Sequence, residues 1–300
     1  MYYRRKIILS ILGEFGGRLS KTSFQKLLFL HSRSQKVRTY DFVPYSYGCF
    51  SFTANQDLLT LKKYGIVEEL NQQSNQFWIK KDDIEYTASL LHDDYASIKT
   101  LTKDFNHYNQ EELIKYTYLR YPYFAINSKI AKNILDKREL EKIENQKRAV
   151  NKEQPTIFTI GYEGKSLEYF FNQLIINAVK VLIDVRKNAL SKKYGFSKSQ
   201  ITHVCNSLNI DYIHIPELGI SSNKRKDLKD SNDYMTLFTE YEDETLLYSE
   251  KHLQSIIQCF RKNERIALMC FEMNANMCHR GRVINFLQKL LPEGVPFRNL

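Results

Sequence analysis

The sequence predicts an α/β protein: a small winged, helical amino-terminal part followed by a mainly parallel sheet with helices on both faces. Three observations predict it. From residue 156 onward, short apolar runs alternate with stretches of helical periodicity, the order that builds parallel sheets. The first ~90 residues instead carry apolar-faced helices followed by a hairpin pattern. Between these parts the chain is helical in pattern and increasingly charged. It ends in the run Leu135–Arg148, whose alternating sign predicts an exposed connector helix.

In the first part, Ile7, Ile8, Ile11, Leu12 and Phe15 share one face of a first helix, which Gly16-Gly17 breaks. Ser20 is placed to cap a second helix with Phe24, Leu27, Leu28 and His31 inward, where His31 reads as a core histidine. Thr53 is placed to cap a third, carrying Leu58, Leu59 and Leu61 up to Gly65. Ile66–Leu70, a polar turn and Gln76–Lys80 then make a wing, so residues 1–90 read as a winged helix-turn-helix, residues 91–150 as a helical connector and 151–300 as the sheet domain. Residues 40–52 hold six aromatics. With Lys21, Lys26, Arg33, Lys36 and Arg38 nearby, Tyr45 and Tyr47 suit a platform that stacks bases beside phosphate-binding cations. The competing reading is that these rings fill a small domain's core.

In the sheet domain, Thr156–Ile160, Val179–Val185, Tyr212–Ile215 and Arg265–Met269 read as strands. Leu167, Phe170, Phe171, Leu174 and Ala178 line the first helix between them, and Ser197 is placed to cap the next, which buries Ile201, Val204, Cys205 and Leu208. Leu253, Ile256, Ile257 and Phe260 precede the last strand, and Gly281–Leu291 forms an amphipathic helix after it. The order is that of a Rossmann-like, mainly parallel α/β domain.

At 300 residues and 43% hydrophobic, the chain has material for two cores. No apolar run has the roughly 18–20 residues a membrane span needs, and the amino terminus does not read as a secretion signal. Five scattered cysteines do not form a disulfide pattern and fit a reducing cytoplasm. A net charge of +10, with 24 Lys/Arg against 17 Asp/Glu in residues 1–150, makes nucleic acid the first partner to consider.

Polar residues recur at the strand ends: Gly161-Tyr162-Glu163-Gly164, Asp184-Val185-Arg186, Pro216-Glu217-Leu218-Gly219 and Cys270-Phe271-Glu272. A parallel sheet brings such ends to one rim, where α/β folds bind ligands. The run Cys270–Arg280, CFEMNANMCHR, adds Cys278, His279 and Arg280 at a helix start suited to anions. Glu272 and Asp184 are candidates for activating water or stabilising a cation, with Arg186, His279 and Arg280 holding phosphate, Tyr162 packing on a base or sugar, and Gly161 and Cys278 as further substrate-binding positions. An ion pair with an arginine is the structural alternative for Asp184. Cys270 is a candidate nucleophile, or a small core residue. The C-x7-C-H spacing lacks paired C-x-x-C ligands and an obvious fourth donor, so no metal and no cofactor are expected.

These motifs, in this order over residues 156–291, resemble the domain of unknown function 488 family, whose pattern is a GYEG-type turn, D-x-R, C-x-E and C-H-R. The resemblance implies a Rossmann-like domain acting on nucleic acids or nucleotides in bacterial conflict systems. Phe24-Gln25-Lys26-Leu27-Leu28-Phe29-Leu30 and Tyr45-Ser46-Tyr47-Gly48 resemble the short winged-helix domains that accompany such proteins, which implies DNA binding. The function expected is a cytoplasmic enzyme of phage or mobile-element defence that hydrolyses a glycosidic or related bond of a (modified) base or nucleotide in DNA. Two alternatives stay open: a non-catalytic reader of modified DNA or a nucleotide signal, and rhodanese-like sulfur transfer at Cys270. DNA is expected in preference to RNA, no membrane is expected as a partner, and a homodimer is left open.

Overall fold

The computed structural model describes residues 1–72, 75–150, 153–225 and 231–300. The chain divides into two compact units, Met1–Ala149 and Val150–Leu300.

The first unit opens with α1 (Tyr3–Glu14), in which Ile7 through Leu12 are all buried, so the helix is enclosed rather than one-faced. β1 (Arg18–Ser20) leads into α2 (Lys21–Ser34), where Ser20 Oγ accepts the Ser23 N–H at 3.0 Å as the capping pattern predicts. A short hairpin follows, β2 (Val43–Tyr45) and β3 (Gly48–Phe50). α3 (Phe52–Lys63) starts two residues before the expected position, and its cap is Ser51, whose Oγ accepts from Ala54 N–H, rather than Thr53. β4 (Val67–Gln72) and β5 (Asn75–Lys80) pair antiparallel, and β1 joins the outer side of β5. Part of the expected wing turn, residues 73 and 74, lies outside the described residues.

Residues 91–150 differ from the expected free connector. α4 (His92–Phe105) and α5 (Gln110–Arg120) place Ile98, Leu101 and Leu113 in the same core as α1 and α2. After the short α6 (Ala131–Ile134), only α7 (Lys137–Val150) has the expected solvated character, burying Ile143 alone among its described residues.

His31 is a core residue, with Nδ1 2.9 Å from Ser97 Oγ. Burial lowers its pKa to about 4 from an ordinary 6.5, against the opposing pull of Asp94. The folded state therefore binds fewer protons than the unfolded chain between these values. His31 thus withdraws no stability above pH 6.5, and its penalty grows as pH falls from 6.5 toward 4. Replacing His31 by Gln is expected to flatten that acid limb by roughly 2–3 kcal/mol, measured by urea denaturation across pH.

The second unit is a five-stranded sheet, every pairing of which is parallel. In chain order its elements are β6 (Thr156–Gly161), α8 (Leu167–Ile176), β7 (Val181–Asp184), α9 (Lys198–Ser207), β8 (Asp211–His214), α10 (Ser231–Tyr241), α11 (Glu250–Asn263), β9 (Arg265–Cys270), α12 (His279–Leu290) and β10 (Phe297–Asn299). The strand order β10-β6-β9-β7-β8 puts the last long strand, β9, between the first two. β10 has no counterpart in the sequence expectation. Ser197 marks the start of α9, but its Oγ accepts from Ser191 N–H and donates to Ser191 O instead of capping the helix.

This order creates the site. Right-handed crossovers send α8 and α9, which advance from β6 to β8, to one face, and the returning α10, α11 and α12 to the other. Leu237, Phe238, Leu253, Ile256 and Val283 accordingly form one cluster with Ile157, Val181 and Ile266. β9 therefore lies between two strands whose following helices leave on the opposite face, and the chain opens a crevice at its carboxyl end. Cys270 occupies that end. Among the described residues, no helix is long and apolar enough to cross a membrane.

Candidate functional site

A cavity of about 190 Å³ opens at this crevice, lined by Tyr162, Arg186, Lys187, Asn188, Leu190, Ile220, Cys270, Phe271 and His279. Residues from the ends of β6, β7 and β9 and from the start of α12 thus meet at one place. The volume is below the roughly 300–1,000 Å³ of drug-sized sites and suits a base, a sugar or a phosphate.

Asp184, fully buried, is the anchor of this rim. Its Oδ1 accepts the backbone N–H of Arg186 at 3.1 Å and Arg186 Nε–H at 2.8 Å; its Oδ2 accepts Arg186 Nη2–H at 2.6 Å and the Tyr212 hydroxyl at 2.6 Å. Four donors fill the acceptor capacity of a carboxylate. Asp184 therefore braces Arg186 and cannot activate water, which corrects its assignment as a catalytic residue. Burial alone would weaken the guanidinium charge, yet the adjacent carboxylate raises the Arg186 pKa above its ordinary value. Burial, with Asp184 beside it, likewise pushes Tyr212 up.

Arg186 lines the cavity beside a second cation, Lys187. Arg186 Nη1 donates to the Tyr162 hydroxyl at 2.9 Å. Its bonds to Asp184 and a further contact with the Tyr212 hydroxyl hold the rest of the guanidinium. The side chain is oriented before any ligand arrives, a fork suited to a phosphate or carboxylate. Its carbonyl accepts from His214 Nε2 at 2.8 Å, so β8 also holds the D-x-R turn in place.

Tyr162 packs flat against Phe196, with ring centroids 4.3 Å apart, and edge-on to Phe271 at 5.3 Å. It is 4% exposed, so its phenol serves Arg186 while the half-exposed Phe271 offers the accessible ring. Gly161, expected to bind substrate, has a different task. A Cβ there would lie 1.8 Å from Glu272 O, so glycine lets the turn after β9 close over the end of β6. Gly161→Ala is expected to destabilise the second unit by about 3 kcal/mol, read as a lowered denaturation midpoint, because the clash is with backbone. Gly219 does the same for the D-x-R turn, where a Cβ would meet Lys187 N at 2.0 Å.

Arg280 is also corrected. It is fully buried, and donates from Nη1 to Glu272 O and from Nη2 to Met273 O at 2.9 Å. It ties down the turn after β9 from beneath and presents no fork to a phosphate. Cys278, 1% exposed, lies behind the cavity rather than among its lining residues, which corrects its placement as a substrate contact.

Cys270 and His279 do line the cavity. Cys270 Sγ donates to Glu272 Oε2 at 3.2 Å and lies 3.7 Å from His279 Nδ1; Cys278 Sγ is 3.9 Å from the same nitrogen. His279 Nε2 is 2.8 Å from Val185 O, a carbonyl that only accepts, so Nε2 carries the proton and Nδ1 presents its lone pair to the two sulfurs. Glu272 is not among the lining residues either; partly exposed, it adjoins the cavity through its bond to the Cys270 thiol. The turn makes a poor cradle for a persulfide. The N–H of Met273 is taken by Glu163, that of Asn276 by Asn274 Oδ1 and that of Cys278 by Ala275 O.

Of the residues proposed for DNA in the first unit, Lys21 and Tyr47 line one cavity together, while the others do not join them in one patch. Lys26 is 1% exposed and donates to the carbonyls of Tyr47 and Cys49, so it holds the β2–β3 hairpin and is unavailable to DNA. Burial lowers its pKa, with Cys49 opposing. Lys21, at the start of α2, pairs with Glu69. Arg33, Lys36 and Arg38 lie at or beyond its far end, about 20 Å away for a helix of 14 residues. Of these, Lys36 pairs with Asp93 and Arg33 lies over Tyr121. Tyr45 packs with Phe50 and Phe52, while Tyr47 is 52% exposed. Sequence reasoning missed Lys187, Asn188 and Phe271 at the cavity, although all three adjoin the D-x-R and C-x-E motifs.

The site defines the second unit as a Rossmann-like α/β domain with its pocket at the carboxyl ends of the strands. A family model described as "Domain of unknown function DUF488" matches residues 166–287, which include the D-x-R, C-x-E and C-H-R motifs and begin just after Gly161–Gly164. The carboxy-terminal half is similar to that family. No curated protein matches the chain.

Proposed function

We propose that the second unit is a hydrolase acting on a base or nucleotide, and that the first unit delivers it to DNA. The observation that carries the reading is the cavity itself. An oriented arginine, a lysine and an accessible aromatic ring line a space the size of a nucleotide fragment, and a carboxylate, Glu272, adjoins it through the lining thiol of Cys270. Arg186 would hold phosphate, Phe271 would pack on the base or sugar, and Glu272 would activate water. With Asp184 saturated, the paired carboxylates of ordinary glycosidases are not available here. Catalysis therefore falls to one carboxylate, and attack by Glu272-activated water on a glycosidic or related bond of a (modified) base is the reaction the site supports best.

The first unit supports the DNA half of the proposal by its element order. α1, β1, α2, the β2–β3 hairpin and α3 precede the β4–β5 hairpin, and β1 pairs with β5, an order we read as a winged helix-turn-helix with a hairpin inserted between its second and third helices. In that reading α3 is the groove-facing helix, with Lys63 exposed and Asn55 and Gln56 partly so. Such a protein would serve defence against phage or mobile elements.

Incubating the full chain with plain and modified DNA, and assaying free bases and abasic sites, tests the proposal. Release of a base supports it. Tight DNA binding with no bond broken, unchanged in Glu272→Gln, would assign the pocket to a reader instead.

A further inference from the structure

The two thiols and the imidazole at the carboxyl end of β9 are not accounted for by the roles above. Cys270 closes the strand, Cys278 and His279 open the next helix, and the intervening turn folds the three together. One ligand atom from each lies within 4.8 Å of the others, and all three residues are buried. The sulfur-to-nitrogen distances of 3.7 and 3.9 Å are close to the ligand-to-ligand edge of about 3.5 Å that tetrahedral zinc requires, given Zn–S near 2.3 Å and Zn–N near 2.0 Å.

The imidazole is held as metal-bound histidines are. Its Nε2–H donates to Val185 O at 2.8 Å, which fixes the tautomer and turns the Nδ1 lone pair toward both sulfurs. A pair of core cysteines needs no such imidazole between them. We infer that Cys270, Cys278 and His279 bind one divalent zinc ion through Sγ, Sγ and Nδ1. A soft donor set of two thiolate sulfurs and one imidazole nitrogen selects zinc over magnesium or calcium.

Three protein ligands leave a fourth position. Cys270 and His279 line the cavity, so that position faces it and takes a water molecule, as three-ligand zinc sites do. Glu272, 3.2 Å from Cys270 Sγ, stands where it can take a proton from that water. This part rests on the hydrolytic reading and deepens it: the nucleophile is a metal-bound hydroxide, and the substrate is a base or nucleotide whose electrophilic carbon reaches the cavity. On binding, each thiol gives its proton to solvent and the metal keeps its oxidation state.

The test uses the full chain, purified with reductant and chelator and titrated with cobalt(II) alone, then with zinc(II) alone. One equivalent of cobalt should produce thiolate-to-cobalt charge-transfer absorption and the visible bands of a tetrahedral ion, and zinc should displace it. Calorimetry in buffers of different ionisation enthalpy should show about two protons released per zinc. Cys278→Ser and His279→Gln should weaken binding by about 100-fold or more, whereas Cys259→Ser should not change it. Should the site variants fail to fold, the wild-type protein still decides: zinc must protect Cys270 and Cys278, but not Cys259, from alkylation read by mass spectrometry.

Absence of thiolate bands, or alkylation at Cys270 and Cys278 unaffected by zinc, overturns the site. The two readings fail separately. A protein that binds zinc through these residues but breaks no bond retains the metal site and loses the hydrolase. One that hydrolyses DNA after chelation and binds no metal does the reverse.

Discussion

Asp184→Ala is expected to lower the stability of the folded chain by about 3–5 kcal/mol, because it leaves the Arg186 guanidinium buried without its counter-charge. The carboxylate has no exposed surface and accepts from four donors on two adjacent strands: the backbone and side chain of Arg186 after β7, and Tyr212 on β8. Its loss strands three side-chain donors at once. Tyr212→Phe removes a single bond to a charged acceptor and is expected to cost about 1.5–3 kcal/mol. Urea denaturation followed by far-UV circular dichroism gives the comparison. The expected order is wild type, then Tyr212→Phe, then Asp184→Ala, and an Asp184→Ala protein within about 1 kcal/mol of wild type would show that the pair does not brace the rim.

The second large effect falls on activity. Glu272→Gln keeps size and hydrogen-bonding shape but removes the proposed base, so if the second unit is the hydrolase proposed above, the rate of bond cleavage should fall by about 10²- to 10⁴-fold while any DNA affinity is retained. Steady-state and single-turnover rates on the same substrate separate the two. An unchanged single-turnover rate in Glu272→Gln would remove Glu272 from the chemistry.

Much of the second unit was legible because strands buried on both faces read as apolar runs with a polar residue at each end. Thr156–Gly161 and Arg265–Cys270 are buried along their whole length, and the motif residues sit where those runs stop. What could not be read was direction. The sequence offered an ion pair as one of two readings of Asp184 without deciding between them, and gave no sign that Arg280 points under the turn at Glu272 and Met273. β10 escaped notice because three residues, Phe297-Arg298-Asn299, carry no period, and only their pairing with β6 makes them a strand.

In the first unit the limit was the density of burial around α2. Lys26 sits between Phe24 and Leu27 on a helix enclosed on nearly every side, and its positive charge gave no sign that backbone carbonyls of the β2–β3 hairpin would take it. The same contact explains two sequence motifs together. Gln25 exchanges hydrogen bonds with the backbone of Ser51, and Lys26 closes on Tyr47 and Cys49, so Phe24–Leu30 and Tyr45–Gly48 are two halves of one packing arrangement. The Cys270, Cys278 and His279 cluster was hidden for a related reason. The spacing of these three residues resembles no metal motif, because proximity is made by a turn, not by a helix or hairpin of fixed pitch.

Hydrogen–deuterium exchange of the full chain, with and without a short single-stranded DNA, tests most directly whether the crevice at β9 is the functional centre. DNA should slow exchange in the segments 161–163, 186–190 and 270–274, and Arg186→Gln should abolish the protection there. Binding that leaves all three segments unprotected would contradict that role for the crevice.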